Sequence, residues 1–144
     1  MRRFVFPKCS SRNIYDGSAM IVGTGVDMVE VSRIAGAIER FGERFLARIF
    51  TADEIRYCDA KRNRVERYAA RFAAKEAASK ALGTGMHRGV NWQQIEVRRE
   101  AGGRPTIFFT GAAANVAAKL GAARAQLSIT HTETTAVAFV ILEN

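Results

Sequence analysis

Residues 63–82 read NRVERYAARFAAKEAASKAL. Strong helix formers fill the run, Asn63 precedes it and Gly83 closes it, so it predicts one long helix. Ala69, Ala70, Ala73, Ala74, Ala77, Ala78 and Ala81 cover more than half of its circumference. Side chains this small on so many sides suit a helix packed closely against several neighbours. The C-terminal half of the chain leans to strand. Ile95 and Val97 alternate within residues 94–98, Gly102-Gly103-Arg104-Pro105 forms a turn, and residues 106–109 form another strand. Residues 112–120 predict a short helix closed by Gly121. Residues 126–130 and 136–142 predict an antiparallel hairpin through His131-Thr132-Glu133-Thr134-Thr135. The expected fold class is α+β, a small antiparallel sheet packed on one long helix.

Toward the N-terminus, residues 21–26 read as a short buried strand punctuated by Gly23 and Gly25 and ending at Asp27. Residues 32–49 have helical period. Ile34, Ile38, Phe41, Phe45 and Ile49 form an apolar stripe, with Arg33, Arg40, Arg44 and Arg48 on a neighbouring one and Gly42 marking a bend. Thr51-Ala52-Asp53-Glu54 has capping-box spacing and opens a helix to about Lys61. Residues 1–19 are basic, rich in Ser and Gly, and without sustained period. They read as a flexible extension, with Met20 opening a single domain over residues 20–144. They lack the apolar core of a signal peptide.

Lys plus Arg is 22 and Asp plus Glu is 14, a net charge of +8 in 144 residues. That balance predicts a polyanionic or acidic partner without choosing one. No apolar run approaches the roughly 18 residues of a membrane span. The two cysteines, Cys9 and Cys58, have no CxxC or Cys/His partner. A disulfide framework and a structural zinc are therefore not expected, and a reducing, cytoplasmic compartment is.

Three places put polar groups among apolar ones. Asp27 ends a buried strand, where it either caps the next helix or pairs with a hard cation. Glu76 and Lys80 are one turn apart on the long helix, with Arg71 and Lys75 on an adjacent row. They are either an ordinary ion pair or part of a site, and the surrounding alanines leave little solvated face for them. Ser128-Ile129-Thr130-His131-Thr132 either makes a polar turn or gathers hydroxyls and an imidazole on a phosphate. In a strand, Ser128 and Thr130 point one way and Ile129 and His131 the other. The sequence contains no P-loop, GxGxxG, GxSxG or HExxH motif.

Together these segments resemble the holo-acyl-carrier-protein synthase family of 4'-phosphopantetheinyl transferases. The matching stretches are residues 23–30, GTGVDMVE, residues 71–85, RFAAKEAASKALGTG, and residues 127–132, LSITHT, with Gly103-Arg104-Pro105 matching the family's Gly-basic-Pro turn. The resemblance implies Mg²⁺-dependent transfer of phosphopantetheine from coenzyme A to a serine of an apo-acyl carrier protein, releasing adenosine 3',5'-bisphosphate. It places the magnesium carboxylates on Asp27 and Glu76 and the family's lysine on Lys80. Glu76, or a metal-bound water it orients, would take the serine proton, and Lys80 would neutralise the leaving phosphate. His131, Ser128 and Thr132, with Arg71 and Arg104, would hold the nucleotide end and its 3'-phosphate. It also implies a homotrimer with active sites between subunits. The basic stripe Arg33, Arg40, Arg44 and Arg48 would dock the acidic carrier protein. No membrane or nucleic acid is then needed. A nucleic-acid-binding module and a non-catalytic scaffold are the rival classes. The first usually interleaves exposed aromatics with its basic residues, whereas Phe41 and Phe45 fall on the apolar stripe.

Overall fold

The computed structural model describes residues 19–144. The expected extension lies almost wholly outside the described residues. Strand β1 (Ile21–Glu30) leads into helices α1 (Val31–Phe41), α2 (Glu43–Ile49), α3 (Ala52–Asp59) and α4 (Arg64–Leu82). A short 3-10 turn (Trp92–Gln94) precedes β2 (Ile95–Arg99), β3 (Pro105–Phe109), α5 (Gly111–Lys119), β4 (Arg124–His131) and β5 (Thr135–Glu143). β1, β5 and β4 form one antiparallel sheet in that order, and β2 and β3 form a separate antiparallel pair. The fold is α+β, as the sequence predicts.

α4 lies across the inner face of the three-stranded sheet, mainly on β1 and β5. Ala73, Ala74, Ala77 and Ala78 are fully buried against it, as are Ala136, Ala138, Val140 and Leu142 of β5. The glycines of β1 explain how close this contact is. A Cβ on Gly23 would lie 2.2 Å from the carbonyl oxygen of Ala81, and one on Gly25 would lie 1.9 Å from that of Ala77. Backbone therefore meets backbone, which only glycine permits.

Two expectations need correction. β1 does not end at Asp27 but runs on to Glu30, paired with β5 through Thr135. Asp27 is therefore a mid-strand residue, between the helix-facing Gly25 and Val29, and does not cap α1. The predicted helix over residues 32–49 is two helices, because Gly42 adopts φ 55° and ψ −134°. That conformation ends α1, and a single helical projection does not carry across it. Phe41 is consequently 54% exposed.

The capping box forms as the spacing predicts: Thr51 Oγ1 accepts from Glu54 N at 3.3 Å and Glu54 Oε2 accepts from Thr51 N at 2.9 Å. The same carboxylate reaches further. It pairs with Lys75 Nζ at 2.8 Å, both side chains being fully buried, and accepts from Val97 N at 2.8 Å. Lys75 Nζ also donates to the carbonyls of Trp92, at 2.9 Å, and Ile95, at 2.5 Å. Every charge here is satisfied, as a buried pair requires. Burial draws the Lys75 ammonium below its usual range, and Glu54 opposes that. The pair ties α3, α4 and β2 together.

Gly25→Ala should lower stability by about 2 kcal/mol or more, since its Cβ meets rigid backbone. Gly36→Ala, where a Cβ has open space within exposed α1, should add up to about 1 kcal/mol. Urea denaturation of the two variants checks both signs.

Candidate active site

The β1–α4 crossing sets the first cluster. Asp27 faces the helix, and Lys80 Nζ donates to its Oδ1 at 2.8 Å and to the Val26 carbonyl at 3.0 Å. The Asp27 side chain is 17% exposed and that of Lys80 49%. Glu76, one turn before Lys80 and half-buried, completes the group. Burial pushes its carboxyl above the usual range, the negative charge of Asp27 pushes it further, and Lys80 pulls it back. Asp27, Glu76 and Lys80 are thus electrostatically coupled, as the sequence reading paired them.

The donor set fits a hard divalent cation. Two carboxylates that repel each other are relieved by positive charge, and Mg²⁺ is commonly held by one or two carboxylates plus water and substrate phosphates. No group of three or more His, Cys, Asp or Glu ligands occurs among the described residues. The other ligands would come from outside the chain.

A second site lies between α4, β2 and β4. It is a cleft of about 160 Å³ whose lining includes Arg67, Arg71, Arg99, Pro105 and His131. Arg71 is 5% exposed, yet its Nε has no hydrogen-bond partner. Its guanidinium lies instead 3.9 Å from the centre of the Tyr57 ring. His131 Nδ1 is also buried without a hydrogen bond. It sits 3.4 Å from Glu66 Oε2, close enough for charge attraction if the ring is protonated but without bonding geometry. Buried polar atoms are normally satisfied, so two orphans on one cleft point to a ligand.

Of the predicted nucleotide residues, the cleft gathers Arg71 and His131. Arg104 is exposed at the start of β3 and donates through Nη2 to Gln126 Oε1. It lines an adjacent cleft of about 330 Å³, which also touches Pro105. Ser128 is exposed on the sheet face opposite His131. Thr132 Oγ1 accepts from Thr134 N and Thr135 N, at 3.3 and 3.1 Å, and so shapes the hairpin turn. The sequence reading missed Arg67, Arg99, Glu66 and Tyr57. Arg67 was discoverable as the residue one turn before Arg71; the others are brought in by tertiary packing alone.

Residues 23–139 match the model of the 4'-phosphopantetheinyl transferase superfamily. The chain belongs to that superfamily. A similar curated relative is the holo-[acyl-carrier-protein] synthase of Koribacter versatilis (strain Ellin345). It is 66% identical over 125 residues, covering 87% of this chain and 100% of the relative. Among solved structures, the holo-[acyl-carrier-protein] synthase from Neisseria meningitidis is 37% identical with a TM-score of 0.80, covering 87% of this chain and 100% of that one. The Helicobacter pylori holo-[acyl-carrier-protein] synthase in complex with coenzyme A is 28% identical with a TM-score of 0.73, covering 83% and 98%. The family resemblance read from the sequence is borne out.

The four stripe arginines are all exposed, Arg33 and Arg40 on α1 and Arg44 and Arg48 on α2. Phe41, Arg44, Phe45 and Arg48 line a groove of about 320 Å³. No helix among the described residues is long and apolar enough to cross a membrane.

Asp27→Asn should bring the Glu76 titration down toward the ordinary carboxylate range, because it removes repulsion and frees Lys80. Burial should still hold it above that range. A carboxyl-carbon NMR titration of both proteins checks the direction.

Proposed function

We propose that this chain transfers the 4'-phosphopantetheine group of coenzyme A to a serine hydroxyl of an apo-acyl carrier protein. The serine oxygen forms a new P–O bond, the pyrophosphate P–O bond breaks, and adenosine 3',5'-bisphosphate leaves. The observation that carries this reading is the coupled Asp27–Glu76–Lys80 cluster in a chain of this superfamily. A bound Mg²⁺ on Asp27 and Glu76 would supply positive charge to the phosphoryl oxygens. Glu76 is the carboxylate not engaged by Lys80, which leaves it free to take the serine proton. Lys80, half-exposed beside Asp27, would neutralise the leaving phosphate. Arg71 and His131 receive the 3'-phosphate on their unpaired nitrogens. Arg104 borders the nucleotide from the adjoining cleft, and Ser128 and Thr132 lie outside the cleft that holds Arg71 and His131.

Exposed Phe41 among arginines is also a pattern a nucleic-acid binder would show. A nucleic-acid binder without catalysis has no need of a partly buried carboxylate pair such as Glu76 against Asp27. The acidic carrier protein is therefore the partner for Arg33, Arg40, Arg44 and Arg48. Self-association fits the other side of the molecule. Val26, Met28 and Phe139 are 55%, 69% and 42% exposed on the sheet face turned away from α4, an apolar patch that a homotrimer would bury between subunits. Sedimentation equilibrium should give the mass of three chains. The free, buried Cys58, its thiol pushed up to about 11 by burial, suits a reducing cytoplasm.

Incubation with apo-acyl carrier protein, coenzyme A and Mg²⁺ should add about 340 Da, one phosphopantetheine, to the carrier, and chelation should stop it. Asp27→Ala and Glu76→Ala should each lower the rate at least about 100-fold while circular dichroism stays native. Labelling that persists at wild-type rate in either variant contradicts the metal assignment.

Reversing Arg33 and Arg40 to Glu should raise the KM for the carrier protein by about 10-fold, corresponding to about 1.4 kcal/mol, and leave the KM for coenzyme A unchanged. Added salt should raise the wild-type KM for the carrier. Steady-state kinetics with each substrate varied in turn separates these outcomes.

A further inference from the structure

We propose that Tyr57 is a positioning residue for the anion cleft. Its ring is the platform on which the guanidinium groups of Arg71 and Arg99 rest, and it sets the preference for a nucleotide with a phosphate on the 3' position of its ribose. This rests on reading the cleft as the 3'-phosphate site.

Tyr57 sits on α3, half-buried, while Arg71 comes from α4 and Arg99 from β2. The Cζ atoms of Arg71 and Arg99 lie 3.9 and 5.3 Å from the ring centre. Lys61 Nζ is 5.1 Å away. Both arginines line the 160 Å³ cleft, and with Tyr57 they line an adjoining hollow of about 250 Å³.

The choice of an aromatic partner has a chemical consequence. A carboxylate would neutralise a guanidinium and occupy its N–H donors. A ring attracts the cation through its π face and leaves the in-plane N–H groups free. Three acids do border the hollow, but each is engaged elsewhere. Asp53 pairs with Arg56 at 2.8 Å, Glu54 with Lys75 at 2.8 Å, and Glu96 with Arg98 at 2.7 Å. Neither Arg71 nor Arg99 has a carboxylate partner among the described residues. Arg71 Nε is accordingly buried and unpaired. The arrangement holds two positive charges in place without spending their donors, which is what recognition of a dianionic phosphate needs.

Calorimetric titration of the full chain with adenosine 3',5'-bisphosphate and with adenosine 5'-monophosphate measures the preference for the 3'-phosphate. Tyr57→Leu should reduce that preference about 10-fold, and Tyr57→Phe, which keeps the π face, should hold it within about twofold. Tyr57→Met, equally without a π face, is read in the same way if Tyr57→Leu does not fold. Arg71→Gln runs beside them. If the Leu and Met variants keep the wild-type preference while Arg71→Gln loses it, the platform role is overturned and the cleft reading stands. If Arg71→Gln keeps it too, the cleft is not the 3'-phosphate site, and the Tyr57 role falls with it. A loss shared equally by Tyr57→Phe also overturns the proposal, since the hydroxyl and not the ring face would be responsible.

Discussion

The backbone of β1 lies directly on the backbone of α4, and nothing larger than hydrogen fits between them at Gly23 and Gly25. That contact requires two sequence features at once, glycines on the strand and alanines on the helix. Together they bring a strand carboxylate and a helix carboxylate into one electrostatic field, where bulkier side chains would hold the elements about 10 Å apart. Burial at this contact raises the Glu76 pKa, the nearby Asp27 charge adds to the rise, and the Lys80–Asp27 bond follows from the same proximity. A site that must gather negative charge gains from being set on rigid elements, because the repulsion is then opposed by packing and not by flexible loops.

The buried Glu54–Lys75 pair acts on the same helix from its other side. Removing one partner would leave an uncompensated buried charge, at a cost of about 3 to 5 kcal/mol. It fixes the rotation of α4, so that Lys75 faces β2 while its neighbour Glu76 faces β1. Two regions of α4 are thereby separated by geometry. One row of the helix carries Glu76 and Lys80, and Arg71, one turn before Lys75, lines the cleft beside β2 and β4.

Much of this was legible in the sequence. The alanines of residues 69–81 announce a closely packed helix, and the Gly-x-Gly before Asp27 supplies the strand that can approach it. Glu76 and Lys80 stand out because the packing leaves them little solvent. The capping box Thr51–Glu54 was readable, but its second task was not. Nothing local says that a capping carboxylate also pairs with a lysine far along the chain. Gly42 was legible as a weakness. Only its positive φ shows that the helix stops there, which separates the arginine stripe into two helices and exposes Phe41. The strand alternation correctly separates Ser128 from His131, and the structure keeps them on opposite faces. Tyr57 and Arg99 were invisible because their meeting depends on how α3 and β2 pack beside α4.

The proposed chemistry depends on Asp27 and Glu76 acting as one divalent-cation site. Binding of Mn²⁺, as a paramagnetic stand-in for Mg²⁺, can be followed by electron paramagnetic resonance in the presence of coenzyme A. The wild type should bind one ion per chain, and Asp27→Asn and Glu76→Gln should each weaken that binding at least about 10-fold. Undiminished Mn²⁺ binding in both variants would contradict a shared site.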